Sequence, residues 1–247
     1  MTVSNPPVAS GGLVLPRYES AAGVHPPLDS PEYKSSALRH PNQPLIALSQ
    51  QLTEITGPLF GAERVGEHDA DLTAGHAGEP IGERIIVSGR VLDSDGRPVP
   101  DALIEVWQAN AAGRYAHHVD GHPAPLDPNF SGAGRCVTDS EGRYAFTTIK
   151  PGPYPWGNHY NAWRPAHIHF SLLGRAFAQR LVTQMYFPGD PFLPYDPIYN
   201  SVRDSKDRER MISRFDIHKT VPNRAQHYEF DIVLRGPGAT PFEDVHG

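Results

Sequence analysis

From about residue 82 onward, apolar and polar residues alternate over short segments that are separated by turn signals. Such alternation is typical of β-strands that turn one face toward a core. It predicts strands over 84–91, 102–108, 144–149, 166–172, 181–187 and 228–234, with turns at 93–98 and 139–142. Strands at this spacing, with few helices between them, predict an all-β fold with an antiparallel β-sandwich core.

The N-terminal part of the chain follows a different pattern. Residues 1–43 are rich in Pro, Gly and Ser and show no sustained periodicity, which predicts an irregular arm that lies on a surface, either that of this chain or that of a partner. Leucine and isoleucine recur at helical spacing over 44–55, and Gly57-Pro58 should end that helix. One further short helix is predicted within 206–215, so the fold should carry one or two short helices.

Charge and composition exclude several classes of protein. The net charge is −6 and no Lys/Arg-rich run occurs, which argues against nucleic acid and anionic membranes as partners. No apolar segment approaches the roughly 20 residues that span a bilayer, and the N-terminus shows no secretory pattern, so we expect a soluble, cytoplasmic protein. Cys136 is the only cysteine, which excludes an intrachain disulfide and a thiolate metal cluster.

The most informative segment is 151–170, PGPYPWGNHYNAWRPAHIHF. Residues two apart on a strand point to the same face, so His167 and His169 should direct their imidazoles toward one point. Ala166, Ile168 and Phe170 should then face the opposite way, into an apolar core. This arrangement predicts a strand that holds a metal ion.

Four residues are the candidate metal ligands: Tyr115, Tyr154, His167 and His169. Two prolines flank Tyr154 and restrict its backbone, which helps to fix the direction of the phenol. Spacing alone does not rank these four above the neighbouring candidates His117, His118, His159 and Tyr160. Two phenolates and two neutral imidazoles form a hard, doubly anionic ligand set that favours a trivalent ion. The expected ion is therefore iron(III), and neither zinc nor iron(II).

The motifs of this chain resemble those of the intradiol ring-cleaving dioxygenases. The resemblance runs from SPEYKSS, near Tyr33, to the last strand and PFED. It is densest in the segments GERIIVSGRV, EVWQANAAGRYAH, PLDPNFSGAGRC, TIKPGPYPW, WRPAHIHF, YFPGDP and FDIVLRG. So many long motifs in family order are far more specific than any single one, and the β-sandwich fold of that family agrees with the strand pattern.

The resemblance implies a non-haem Fe(III) ion held by two tyrosinates, Tyr115 and Tyr154, and by the imidazoles of His167 and His169. It also implies that Arg164 and Gln184 are catalytic residues, together with Tyr154, which would accept a proton from the substrate. Three further positions match residues that line the substrate cavity: Tyr33, Trp156 and Ile198.

Within the family, the motifs are most similar to β-type chains that work with an α chain. The resemblance thus implies cleavage of protocatechuate by O2 to 3-carboxy-cis,cis-muconate, a step of aromatic catabolism in the β-ketoadipate pathway. It implies an α-subunit partner and a larger α/β assembly. We expect residues 1–80 to form an arm and helix that make subunit contacts, and residues 81–247 to form the catalytic β-sandwich domain.

Two alternatives remain open at this point. The first is an intradiol enzyme for catechol or hydroxyquinol, although those relatives carry a helical N-terminal region where this chain is Pro-rich. The second is a non-catalytic β-sandwich subunit with a binding or structural role, although all four expected ligands are present here. One local departure is Gly157, where a larger basic side chain is common in the family, and it bears on substrate preference rather than on the metal ligands.

Overall fold

The structure of the chain is a computed structural model that describes residues 23–38, 40–43, 65–173 and 180–241. Within these ranges the strands are β1 (Arg84–Leu92), β2 (Leu103–Trp107), β3 (Ala133–Val137), β4 (Arg143–Ile149), β5 (Tyr154–Pro155), β6 (Trp163–Arg164), β7 (His167–Leu173), β8 (Arg180–Tyr186), β9 (Arg214–Phe215), β10 (Gln226–Glu229) and β11 (Ile232–Val233). Helices are short: 3-10 turns at Lys34–Leu38 and Leu193–Tyr195, α1 (Pro197–Ser201) and α2 (Ser205–Glu209). None of the helices in the described ranges has the length and apolar character needed to traverse a bilayer.

The strands form two larger sheets and one small hairpin. One sheet has the order β11-β1-β10-β9, with β4 also paired to β1, and the other has the order β3-β2-β7-β8. Strands β5 and β6 pair with each other alone. Strand β1 runs parallel to β10 and β11, whereas the remaining pairs are antiparallel. A parallel pair cannot be joined by a tight turn, so turn signals in the sequence do not reveal it.

The hydrophobic core draws on both larger sheets. Alternate residues of β1, including Ile85 and Val87, are fully buried, and they belong to the same cluster as Ile168 and Phe170 of β7. Ala166 is part of this cluster as well. The predicted division of the His-x-His strand into a core face and an imidazole face is therefore confirmed, because two-residue periodicity sends alternate side chains to opposite faces.

Most of the predicted elements are present, but α1 and the short strands β5 and β6 were not predicted, and three further elements differ. The sequence pattern did not predict β3, since AGRCV has little alternation of apolar and polar residues. The predicted strand over 228–234 is divided into β10 and β11, and Phe230 and Asp231 separate them. The helix predicted within 206–215 ends at Glu209, and the two residues of β9 are extended instead. The helix predicted over 44–55 lies outside the described residues.

Candidate metal centre and its surroundings

The imidazole rings of His167 and His169 in β7 lie on the same face of the strand, as the two-residue strand period predicts. His167 Nε2 and His169 Nε2 are 3.2 Å apart, and the two ring planes are 74° apart. His167 Nδ1 lies 2.8 Å from the carbonyl oxygen of Pro165, to which it can only donate. This bond places the ring proton on Nδ1 and leaves the lone pair of Nε2 available to a metal ion.

The two predicted tyrosines complete the cluster. Tyr115 Oη lies 3.2 Å from His169 Nε2, and Tyr154 Oη lies 3.4 Å from His167 Nε2. The Tyr115 and Tyr154 rings meet edge to face, with centroids 5.4 Å apart. Four potential ligand atoms that come from three different segments of the chain therefore converge on one small volume.

Close backbone packing holds the two tyrosine segments together. Gly113, two residues before Tyr115, has a φ of 78°, and a Cβ there would lie 2.1 Å from the carbonyl oxygen of Pro153, which precedes Tyr154. Glycine is the residue that tolerates both the left-handed backbone and this close approach. The Tyr115 amide also donates to Asp120 Oδ2 at 2.8 Å, which fixes the loop after the glycine.

The structure separates the competing candidates from this cluster. His117 and His118 are exposed and lie against each other, with ring centroids 4.4 Å apart. His159 is buried, but its Nε2 lies 2.8 Å from the carbonyl oxygen of Trp163. Tyr160 is 76% exposed. The tertiary structure thus brings together the four candidates that spacing alone could not rank.

The protonation of the cluster suits a positive ion. Burial lowers the pKa of His167 well below its ordinary value, and the Arg164 cation lowers it further. Burial, with Arg164 second, lowers the pKa of His169 to about 3, so both imidazoles are uncharged at neutral pH. Burial, followed by Tyr154, raises the pKa of the Tyr115 phenol well above its ordinary value. A phenolate there needs a compensating charge, and two imidazole nitrogens with two phenol oxygens fit a hard trivalent cation such as Fe(III).

Arg164 lies directly beside the cluster and is 2% exposed. Its Nη1 is 3.1 Å from His167 Nε2 and 3.4 Å from Tyr154 Oη. Strand pairing accounts for this position, because Arg164 of β6 pairs with Tyr154 of β5. The predicted active-site arginine therefore lies within hydrogen-bond distance of two of the four candidate ligands.

Gln184 contacts the guanidinium rather than the candidate ligands. Its Oε1 accepts a hydrogen bond of 2.7 Å from Arg164 Nη2. Gln184 lies opposite His169 in the pairing of β7 with β8, which explains how a strand residue reaches this position. From the sequence alone, Gln184 is most simply interpreted as a polar residue on the outward face of a strand. In the structure its side chain is 3% exposed and hydrogen-bonded.

The three residues predicted to line a cavity lie at different distances along the chain from Arg164, and two of them form a stack beside its guanidinium. Trp156 lies under the guanidinium, with the Arg164 Cζ 5.2 Å from the indole centroid. Tyr33 packs on Trp156 at a centroid distance of 5.1 Å. Ile198 is 8% exposed and lies in α1, the helix whose preceding residue, Asp196, bonds to Arg164.

The described part of the N-terminal arm is attached to this chain. The Ser35 amide donates to Asn158 Oδ1 at 3.0 Å, and Asn158 Nδ2 donates to Ser35 Oγ at 2.7 Å. These bonds hold Tyr33 against Trp156. The arm thus contributes to the surroundings of the site from the same chain.

Sequence reasoning missed three residues beside the site. Trp107 stacks on His169, with centroids 4.8 Å apart and planes 4° from parallel. Asp196 and Tyr186 both bond to Arg164. The pattern Asp-Pro before a short polar-apolar segment is a helix-start signal that could have drawn attention to Asp196. No local sequence pattern connects Asp196 or Tyr186 with Arg164.

Two family profiles match this chain. The profile described as "Dioxygenase" matches residues 55–236, and the one described as "Protocatechuate 3,4-dioxygenase beta subunit N terminal" matches residues 18–51. The chain is 61% identical over 221 residues to the protocatechuate 3,4-dioxygenase beta chain of Burkholderia cepacia, which covers 89% of this chain and 94% of that relative. It is 37% identical over 131 residues to a hydroxyquinol 1,2-dioxygenase of Rhizobium sp. (strain MTP-10005), which covers 48% of this chain and 42% of that relative.

Solved structures resemble the fold as well. The catechol 1,2-dioxygenase from Acinetobacter sp. ADP1 matches 69% of this chain and 58% of its own, with a TM-score of 0.50 and 26% identity. The 3-chlorocatechol 1,2-dioxygenase from Rhodococcus opacus 1CP matches 68% of this chain and 66% of its own, with a TM-score of 0.50 and 27% identity. The predicted all-β sandwich is confirmed by these neighbours and by the sheets described above.

Proposed function

This chain belongs to the intradiol dioxygenase family, and on that premise we propose that it is the iron(III)-dependent β-type chain of an enzyme that cleaves protocatechuate with O2 to 3-carboxy-cis,cis-muconate. Identity of 61% to a protocatechuate 3,4-dioxygenase beta chain supports this substrate over hydroxyquinol, for which a relative is 37% identical. The observation that carries the proposal is the convergence of two imidazoles and two phenols beside a buried guanidinium.

We assign Tyr115, Tyr154, His167 and His169 as the residues that hold the iron. Bound there, iron(III) would act as a Lewis acid that orients the two diol oxygens and draws electron density from the aromatic ring. The Nδ1–H bond of His167 to the Pro165 carbonyl keeps the Nε2 lone pair directed at the centre. Such an outer bond fixes both tautomer and ring orientation.

Tyr154 has a second role in the proposal. A diol that binds a cation through both oxygens as a dianion must lose two protons. Tyr154 Oη would accept one of them from a diol hydroxyl, and a hydroxide from solvent would accept the other and become water. Arg164 Nη1, 3.4 Å away, can donate a hydrogen bond to the same oxygen. Tyr154 is therefore both a ligand and a base, whereas His167 is a ligand alone.

Arg164 supplies positive charge where negative charge develops on the substrate. Its guanidinium is buried and already bonded on its far side, so it needs no reorganisation during the reaction. Gln184 Oε1 accepts a hydrogen bond from Arg164 Nη2, and the Trp156 indole lies against the face of the guanidinium. Tyr33, which packs on Trp156, and Ile198 of α1 would help to exclude water from the aromatic ring of the substrate.

The assembly is part of the proposal. A match of residues 18–51 to a beta-subunit N-terminal profile supports an α-subunit partner and a larger α/β oligomer. We assign residues 1–80 to subunit contacts and residues 81–247 to the catalytic domain, with Tyr33 as an arm residue that also borders the site. A cytoplasmic location, expected from the sequence, is also part of the proposal.

The test is the visible spectrum of the chain, purified with its α partner, before and after anaerobic addition of protocatechuate. A tyrosinate-to-iron(III) band that shifts with substrate, followed by formation of 3-carboxy-cis,cis-muconate on admission of O2, is expected. Faster turnover of catechol or hydroxyquinol than of protocatechuate would mean that one of these two diols is the substrate instead. A colourless protein after iron reconstitution would contradict the dioxygenase assignment and favour the non-catalytic subunit.

A further inference from the structure

The buried carboxylate of Asp196 is hydrogen-bonded to the Arg164 guanidinium through the two nitrogens that face away from the candidate metal ligands. Asp196 has no solvent exposure. Its Oδ1 accepts from Arg164 Nε at 3.0 Å, and its Oδ2 accepts from Arg164 Nη2 at 2.8 Å. Two parallel hydrogen bonds of this kind fix the plane of a guanidinium as well as its position.

The two-point contact determines which nitrogen remains for the site. With Nε and Nη2 occupied by Asp196, Nη1 is the nitrogen that faces His167 Nε2 and Tyr154 Oη. Arginine has a long, flexible stem, so a guanidinium without such a partner could rotate away from this orientation. The direction of the catalytic positive charge therefore depends on a residue that does not touch the site.

Tyr186 braces the carboxylate and the guanidinium together. Its hydroxyl lies 2.8 Å from Asp196 Oδ2 and 3.0 Å from Gln184 Oε1, so its single proton can go to either acceptor. Arg164 Nη2 donates to the same hydroxyl at 3.1 Å. Each polar group of this buried network thus has a partner, which is the condition for a stable buried charge pair.

The same carboxylate begins the helix that forms part of the pocket wall. Asp196 is the N-cap of α1, and its side chain accepts from the amide of Tyr199 at 3.3 Å. The helix carries Ile198, one of the residues assigned to the cavity. One side chain therefore connects the orientation of Arg164 with the placement of the wall.

We propose that Asp196, braced by Tyr186, is the positioning residue for Arg164 and couples the guanidinium to the α1 wall of the substrate pocket. The inference rests on the proposed function for its kinetic consequence. Its structural part, the orientation of the guanidinium, does not depend on the substrate. Asp196 never contacts the reacting atoms, so it acts through Arg164.

The first variant is Asp196→Asn, made in the full chain and purified with its α partner. We expect iron content to stay normal while kcat for protocatechuate falls about 10- to 100-fold. This is the range typical when the hydrogen-bond partner that orients a functional side chain is replaced. KM should change less, because substrate chelation does not need Arg164. The resting visible band should also shift, because Nη1 no longer donates to Tyr154 in the same geometry.

Asp204→Asn is the matched control. Asp204 is the exposed N-cap of α2, and its Oδ1 accepts from the Lys206 amide at 2.8 Å, with no contact to Arg164. This variant makes the same Asp-to-Asn change at a helix N-cap, where asparagine can still accept from the amide, and it should keep kcat and the visible band. An equal loss of kcat in both variants would overturn the proposal, since loss of an N-cap carboxylate alone would then explain the effect.

Tyr186→Phe gives a second test that does not create an unpaired buried charge. It removes the hydroxyl and leaves the Arg164–Asp196 pair, so kcat should fall about fivefold or more, because the hydroxyl bonds to charged groups on both sides. If Asp196→Asn does not fold, this variant decides the question. An unchanged kcat together with an unchanged visible band would then overturn the proposal.

A double-mutant cycle with Arg164→Lys tests whether Asp196 acts through the arginine. In the Lys background, Asp196→Asn should lower kcat by less than threefold, because the fork that Asp196 orients is gone. The same 10- to 100-fold loss in both backgrounds would show an independent role and contradict the inference.

A crystal structure of Asp196→Asn separates this inference from the proposed function. We expect the guanidinium to rotate away from Tyr154 Oη whether or not protocatechuate is the substrate. An unmoved guanidinium would overturn the positioning role. Failure of the wild-type protein to cleave protocatechuate would overturn the proposed function instead.

Discussion

Trp107 lies face to face on His169, with ring centroids 4.8 Å apart and ring planes 4° from parallel. The two residues are direct cross-strand partners of β2 and β7. A flat indole against an imidazole restricts rotation of the ring about its side-chain bonds, so it fixes the direction of the His169 Nε2 lone pair. Trp107 therefore orients one of the proposed metal ligands and offers no ligand atom of its own.

Trp107→Leu should weaken iron binding about 10-fold or more, because an aliphatic side chain no longer restricts the His169 ring. Trp107→Phe keeps an aromatic face and should retain most of the iron. Competition with a chelator, followed by the visible band, measures the effect. Equal iron retention in both variants would remove the stacking role.

His167→Ala should abolish stable iron binding, because it removes one of four converging donors, and the loss should exceed the 100-fold that outer residues contribute. His117→Ala is the control, since His117 is exposed and pairs with His118 away from the centre. Iron content of the purified proteins by elemental analysis compares the two. Iron loss in His117→Ala would mean that the wrong histidines were assigned.

Tyr154→Phe should slow substrate chelation more than it lowers iron content, because the phenol oxygen is both a ligand and the acceptor of a diol proton. Stopped-flow mixing with protocatechuate without O2 follows the spectral shift, and elemental analysis gives the iron. Iron loss as complete as that of His167→Ala would contradict the separate role of Tyr154.

Arg164→Ala should keep iron but lower kcat about 100- to 1000-fold, the cost of removing a preorganised charge partner. It should also lower the free energy of unfolding by about 3 kcal/mol, because Asp196 becomes a buried carboxylate without its cation. Arg135→Ala is the control, since its pair with Asp69 is partly exposed and should contribute less than about 1 kcal/mol. Denaturant unfolding and steady-state kinetics measure both effects, and near-normal turnover would exclude Arg164 from the reaction.

Gly113→Ala should separate the two tyrosine segments. Its Cβ would lie 2.1 Å from the Pro153 carbonyl oxygen at a φ of 78°, so the backbone must move and stability should fall by about 1–3 kcal/mol. Iron content should fall with it. Gly157→Ala is the matched control, because no atom lies within 4 Å of a Cβ there and the position is exposed. Thermal unfolding measures the difference, and an equal midpoint for the two variants would contradict this prediction.

The strand pattern predicted much of the fold because it depends on local chemistry. Alternation over β7 predicted which side chains enter the core and which pair of histidines shares a face, and both predictions are confirmed. Strand β3 and the break between β10 and β11 were missed, since AGRCV lacks alternation and Phe230-Asp231 does not look like an interruption. The parallel pairing of β1 with β10 was equally invisible, because no turn connects them.

By itself, the sequence determined the His-x-His face, the core beneath it, and the set of tyrosines and histidines from which ligands could come. Only the tertiary structure decided among them, placing Tyr115 and Tyr154 at the centre and His159 against the Trp163 carbonyl instead. It also brought Asp196 to Arg164 across 32 positions of the chain. The physical reason is that the strand period is a property of neighbouring residues, whereas convergence depends on register and loop packing between distant segments.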